Sequence, residues 1–254
     1  MSADVPTVVL PGPAMVPLVR AAAALEAEDI PPFAVIGGVA VTVRLGRAVR
    51  ATADLDAVTD QRYTPTALEV LRARGDATYD AAEPHTITIA GAEVQFQDVE
   101  PVDDADVSHL DDKDLLYVAA HAHALAAATP VRLLAAETRT EATVPVATTG
   151  ALLATKLHAY LDRRRVAGRD KRPGDLWDIY NLLLHLGGDA AADLAGANPS
   201  LIRVVATTVR DQLVAGAARA RSVLLISNDE RYQVITAEEI SYAAVAFLDS
   251  LGER

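Results

Sequence analysis

The sequence has no cysteine. That excludes a disulfide framework, a thiolate metal site and a cysteine nucleophile, and it fits a chain with no need of an oxidising compartment. Cations are in deficit, with 23 Lys+Arg against 35 Asp+Glu and a formal net charge of -12. Wholesale binding to a polyanion such as bulk duplex DNA is therefore not expected, and any nucleic-acid contact has to be local. No run of 18 uncharged apolar residues occurs, and residues 1–17 show no basic stretch leading into an apolar core. The expectation is a cytoplasmic protein with no membrane association. Also missing are a Gly-x-Ser-x-Gly elbow, a Walker A loop and a dinucleotide fingerprint, which removes the commonest hydrolase, ATPase and dehydrogenase readings. The six histidines form no ligand spacing, and His121 and His123 point apart on a predicted helix. What is present is bulk apolar content. At 254 residues and 51% hydrophobic, the chain can bury one sizeable core or two modest ones.

Residues 20–28 read as a helix stopped by Pro31 and Pro32. Phe33 to Ile36 is a continuous apolar run of the kind found in a buried strand, and it leads into Gly37-Gly38 and a helix over residues 39–45. Residues 50–58 alternate polar with apolar, which predicts a strand carrying Thr52, Asp54 and Asp56 on one face. A helix follows over 64–74, then a hairpin of 86–90 and 93–99 joined at Gly91. Between Asp98 and Asp114 there are eight carboxylates and one lysine, a pattern that suits a solvated loop better than a metal cage. Residues 111–128 read as helix and 143–147 as a short strand. Beyond Gly150 the helical segments are 151–165, 175–186, 199–221 and 237–251, with Gly187-Gly188 ending the second. This predicts an α/β domain over residues 1–106 and a mainly helical domain over 107–254.

The residues that point to chemistry fall into two groups. Asp54 and Asp56, two apart on a strand, share a face and repel one another. Such a pair suits a divalent cation, best Mg²⁺ with water ligands retained, able to bridge to a nucleoside triphosphate. A Gly-Gly turn opening a helix admits phosphate close to the backbone, so Gly37 and Gly38 are candidate nucleotide contacts. Arg47 and Arg50 bracket the approach to the carboxylates, where they suit phosphate contact or solvated strand-edge charge equally. In the second group Lys156, Tyr160 and Arg163 share one helical face, and Asp175 and Asp178 share another. Spacing alone fits a helix cap and a surface ion pair as well as a site. Arg163, Arg164, Arg165, Arg169, Lys171 and Arg172 place six cations in ten residues. Such a cluster suits local, salt-sensitive contact with an RNA backbone, or simply a solvated helix end. Trp177 and Tyr180 suit the core of a helical bundle.

A strand ending in Gly37-Gly38, a helix, and a strand bearing Asp54-x-Asp56 together resemble the nucleotidyltransferase superfamily of the DNA polymerase β type. Lys156-x-x-Ala159-x-x-x-Arg163, followed by Asp175-x-x-Asp178-Ile179, resembles the C-terminal motifs of the AbiEii family, which includes abortive-infection and MenT toxins. The lysine usual before the first of those aspartates is Gly174 here, with Lys171 nearby. The resemblance spans residues 33–184.

It implies a polymerase β-type domain with a small mixed sheet, a helical C-terminal domain, and an active site in the cleft between them. It also implies Mg²⁺-dependent transfer of a nucleoside monophosphate from an NTP to RNA, with the 3′ end of tRNA as acceptor and an antitoxin as partner. Asp54 and Asp56 would hold the metal. Gly37, Gly38, Arg47, Arg50, Thr52 and Arg163 would contact nucleotide, and Lys156 would offset charge on the leaving pyrophosphate. Asp175 or Asp178 would fix that lysine or act as base. Polymerase-type sites add a third carboxylate from a neighbouring strand. Asp98 fills that role if it faces the pair, whereas a one-residue shift in register presents Gln97. Two alternatives stand beside this reading: the same fold acting on a small molecule or a protein hydroxyl, and a non-catalytic nucleotide- or partner-binding member.

Overall fold

The computed structural model describes residues 5–163 and 171–252. The chain divides into two compact units, Met1–Pro101 with Ala124–Thr148, and Val102–His123 with Thr149–Arg254.

The first unit is built on a mixed sheet of eight described strands: β1 (Thr7–Leu10), β2 (Phe33–Ile36), β3 (Asp54–Asp60), β4 (Ala77–Tyr79), β5 (Thr86–Ile89), β6 (Ala92–Val99), β7 (Thr129–Ala135) and β8 (Glu141–Val146). Their spatial order is β1-β7-β8-β2-β3-β6-β5-β4. Helices α1 (Met15–Ala27), α2 (Gly37–Leu45) and α3 (Ala67–Arg72) complete the unit. β2 lies mid-sheet, antiparallel to β3 and parallel to β8, which is why it is apolar throughout rather than alternating. α1 starts well before the expected residue 20, because Pro17 is tolerated in the first turn of a helix.

The β5–β6 hairpin turns at Ala90 and Gly91, whose φ angles of 53° and 82° are both left-handed, as a tight two-residue turn requires. The sheet is larger than the small one expected. β7 pairs with β8 and β1, so residues 124–148 group with the sheet rather than with the helices that a single cut after residue 106 would give them. Arg44, at the end of α2, fixes that helix to the exit of β8. Its Nε donates to the Ala147 carbonyl at 2.7 Å, and its Nη2 donates to the Val146 carbonyl at 2.5 Å and to Thr129 Oγ1 at 2.8 Å.

The second unit contains α4 (Asp104–Val107), most of α5 (Asp112–Ala126), α6 (Thr149–Asp162), α7 (Arg172–Leu194), α8 (Pro199–Val209), a π-helical turn (Arg210–Val214), α9 (Ala217–Leu224), α10 (Glu230–Gln233) and α11 (Ala237–Leu251). Its core gathers Leu116, Leu153, Leu157, Leu176, Ile179 and Phe247. α6 and α7 meet closely at Gly150, where a Cβ would stand 2.6 Å from the Ala190 carbonyl oxygen.

The helical segment expected over 175–186 breaks at its predicted end: Leu186, just before Gly187-Gly188, leaves helical geometry (φ -133°), and a second helical stretch of α7 follows across the kink, with Ala190, Ala191 and Leu194 buried in the bundle. The single helix expected over 199–221 is interrupted by the π turn and by Gly216. The acidic run supplies helix caps: Asp103 and Asp106 form a capping box, and Asp104 accepts the Ser200 N–H at 2.9 Å.

His121 is buried in this unit, 3% exposed. Its Nδ1 contacts the Tyr117 carbonyl at 2.7 Å, and its ring lies 5.8 Å from that of His158. Burial pushes its pKa down to about 4, opposed only in part by the Tyr117 carbonyl. The unfolded chain takes up a proton near the ordinary value of 6.5, so stability is complete above that pH and is lost as pH falls toward 4. The loss amounts to about 3 kcal/mol. Urea unfolding followed by the fluorescence of Trp177 is expected to show this loss between pH 6.5 and 4 in the wild type, and a smaller loss in His121→Leu, where His123 and His158, also pushed down by burial, still titrate.

Candidate active site

In the sheet unit the site begins where β2 gives way to α2. Gly37 has φ +69°, a conformation that side chains other than glycine rarely adopt. A Cβ there would stand 1.8 Å from Asp56 Oδ2. The pairing of Ile36 with Asp56 explains the contact, because it sets the carboxylate against the first turn of α2. At Gly38 a Cβ would meet Thr52 Oγ1 at 2.8 Å and Arg50 Nη2 at 2.9 Å. The two glycines are therefore required by what crowds them. Thr52 precedes β3 rather than lying within it, and it reaches the carboxylates by donating from Oγ1 to Asp54 Oδ1 at 3.2 Å. Gly37, Gly38, Arg50, Thr52, Asp54 and Asp56 thus come together. Arg47 sits exposed in the loop after α2.

Register decides the neighbouring strand. β3 and β6 are parallel, with Asp54 beside Glu93, Asp56 beside Gln95, Val58 beside Gln97 and Thr59 beside Asp98. Residues directly across a pair share a face, and successive residues alternate. Asp98 therefore lies on the face opposite to Asp54 and Asp56, which corrects the expectation that it completes a carboxylate triad. The carboxylate face presents Glu93, Gln95 and Gln97 instead. Glu93 is the acidic neighbour that the sequence reading missed. Its alternation with Gln95 and Gln97 was visible, but the parallel offset of β6 against β3 was not. Its carboxylate accepts a hydrogen bond from Gln95 Nε2. Among the described residues no group of three or more His, Cys, Asp or Glu side chains is arranged to hold a metal ion.

In the helical unit the second group forms a buried ionic cluster. Lys156 is 6% exposed, Asp175 1% and Asp178 0%. Lys156 Nζ lies 2.9 Å from Asp178 Oδ2 and 3.3 Å from Asp175 Oδ1, while Arg163 Nη1 donates to Asp175 Oδ2 at 2.5 Å. Among the described residues Lys156 and Arg163 thus face Asp175 and Asp178, so that opposite charges offset one another where burial would otherwise penalise them. The helix cap and the surface ion pair that spacing allowed are both replaced by this network. Arg163 stands just past the end of α6, its N–H donating to the Ala159 carbonyl at 3.1 Å. Of the basic cluster, Lys171 and Arg172 are at the start of α7, and Arg164, Arg165 and Arg169 lie outside the described residues. Trp177 and Tyr180 pack in the bundle, with the Trp177 ring 4.9 Å from that of Tyr232.

The sheet unit thus sets a carboxylate pair against a glycine turn, and the helical unit carries a Lys/Arg–Asp/Asp cluster. A family model described as nucleotidyl transferase AbiEii toxin, type IV toxin–antitoxin system, matches residues 21–211. The chain belongs to that family and is a nucleotidyltransferase. No curated protein matches the chain. No helix among the described residues is long and apolar enough to cross a membrane.

Lys156→Met removes the ammonium group that faces Asp178 and one oxygen of Asp175 in a buried setting, a change expected to cost about 3–5 kcal/mol. Trp177, adjacent to Asp178, reports the unfolding of this unit in urea. A loss below about 1 kcal/mol would show that the cluster is solvated rather than buried.

Proposed function

We propose that this protein transfers a nucleoside monophosphate from an NTP to RNA, with the 3′ end of tRNA as acceptor, as the cytoplasmic toxin of a toxin–antitoxin pair. The observation that carries the reading is the Asp56 carboxylate lying against the Gly37 turn with Asp54 beside it. The residues present fit a divalent ion. Two carboxylates on one strand face supply hard oxygen ligands, and Mg²⁺ is commonly bound by one or two carboxylates, with water and substrate phosphate completing its shell. Asp54 and Asp56 would hold it, and when bound it supplies positive charge to the triphosphate and to the attacking hydroxyl.

The chain's own residues do the rest. Gly37 and Gly38 open α2 with Asp56, Thr52 and Arg50 packed against them, and phosphate oxygens would be accommodated by the N–H groups and helix dipole of that first turn. Arg50 and Thr52, packed on Gly38, border that position and contact the nucleotide, and Arg47 adds charge at its rim. The acceptor hydroxyl attacks the α-phosphorus as the bond to pyrophosphate breaks. Lys156 offsets the charge that accumulates on the leaving group. Asp175 and Asp178 are positioning residues in this scheme: both are buried and bonded to cations, which suits holding Lys156 extended and does not suit accepting a proton from a substrate. Arg163 holds Asp175 in turn.

The test is incubation of the purified protein with Mg²⁺, each α-labelled NTP in turn and total tRNA. The expected result is label in RNA with one preferred nucleotide, lowered at least about 100-fold by Asp54→Ala. Label on protein or on a small acceptor, with none in RNA, would contradict the choice of acceptor.

A further inference from the structure

The helical unit contains a cavity of about 430 Å³ whose described lining includes Arg163, Arg172 and Arg219, within the size range of ligand sites. Gln212 and Ser222 add polar side chains to its wall, and Leu161 and Ile226 add apolar surface. No carboxylate belongs to the described lining. In a chain of net charge -12, three arginines in one described lining, of which Arg163 is also bonded to Asp175, concentrate basic groups against the protein's overall field.

The backbone that builds this wall is specialised. Residues 210–214 form a π-helical turn closed by the Ala215 N–H donating to the Arg210 carbonyl at 2.9 Å, a feature that recurs at functional sites. Gly216 follows, where a Cβ would stand 2.7 Å from the carbonyl oxygens of both Asp211 and Gln212. Only glycine allows α9 to restart so close to the π turn, and that restart sets Arg219 and Ser222 around one cavity with Gln212. These three residues lie beyond the span matched by the family model.

The geometry points to a phosphodiester subsite here, which takes the backbone of the RNA acceptor. Arginine forks suit phosphate oxygens, and the Leu161 and Ile226 side chains offer apolar surface to a ribose or base. The assignment to RNA rather than to the triphosphate rests on the proposed function, in which the NTP phosphates are held at Gly37 and Gly38 in the other unit. Arg163 belongs both to this cavity and, through Asp175, to the Lys156 cluster, so a phosphate bound here competes with Asp175 for the same guanidinium.

The experiment measures binding directly. Anisotropy of 5′-labelled total tRNA is followed across a salt series for the wild type, Arg219→Ala, Arg219→Glu and Ser222→Glu, with NTP affinity measured in parallel. Arg219 and Ser222 are exposed on α9, and retention of the Trp177 unfolding transition verifies the fold. Arg219→Ala is expected to lower the slope of log K against log salt by about one. The two glutamate variants are expected to weaken tRNA binding about tenfold or more and to leave NTP affinity unchanged. Unaltered tRNA affinity and slope in the variants, or no tRNA binding by the wild type, overturns the assignment. Weakened NTP binding with tRNA binding intact also overturns it, and makes the cavity a polyphosphate site. Variant-sensitive tRNA binding without any transfer to RNA supports the subsite while refuting the proposed reaction.

Discussion

The contact between Asp56 and the bare backbone of Gly37 organises the sheet unit's site. Strand β3 can bring its carboxylate against the start of α2 only because no Cβ intervenes, and Gly37 can occupy φ +69° only because it is glycine. Sterics and conformation thus demand the same residue. With that contact made, the pairing of β2 with β3 fixes Asp54 on the same face, Thr52 bonds to Asp54, and Thr52 and Arg50 close over Gly38. Arg44 holds the far end of α2 to the exit of β8, so the helix that begins at the site is restrained at both ends.

The helical unit solves a different problem, that of holding an ammonium group in an apolar bundle. Lys156 is on a helix that buries Leu152, Leu153 and Leu157, and its charge is tolerable only because Asp175 and Asp178 arrive together on α7. Arg163 adds a second cation on Asp175. Charge compensation accounts for why these four residues act as a set, and it orders a side chain that would otherwise be among the most mobile in the protein. Only a quarter of the cluster's membership is at all open to solvent: Arg163 is partly exposed while the other three are buried, which makes it the point where an anion from outside can engage the network.

How much of this was legible in the sequence depended on the range of the interaction. β2, the Gly-Gly turn, the Asp54–Asp56 face and the Ala90–Gly91 hairpin are short-range patterns, and they read correctly. The grouping of Lys156 with Asp175 and Asp178 rested on resemblance, since spacing fitted a cap or a surface pair equally well, and the burial that distinguishes them is a tertiary property. The side of β6 that faces the carboxylates was illegible for a related reason. Parallel strands β3 and β6 are joined through a long connection with no tight turn to set their offset, so Asp98 and Gln97 were equivalent until the register was known. The stop signalled by Gly187-Gly188 was also legible: Leu186 leaves helical geometry there, and Ala190, Ala191 and Leu194 are buried by the helical stretch beyond the kink. The π turn ahead of α9 leaves no signature beyond Gly216.

The central claim is that the Gly37 turn and the two β3 carboxylates form one site for a metal-bound nucleoside triphosphate. Calorimetric titration of NTP, with and without Mg²⁺, into the wild type and the Asp54→Asn/Asp56→Asn double variant tests it most directly. The account predicts that Mg²⁺ tightens NTP binding to the wild type and that the double variant, still folded, loses the Mg²⁺-dependent part. Equal enhancement by Mg²⁺ in both proteins would contradict it.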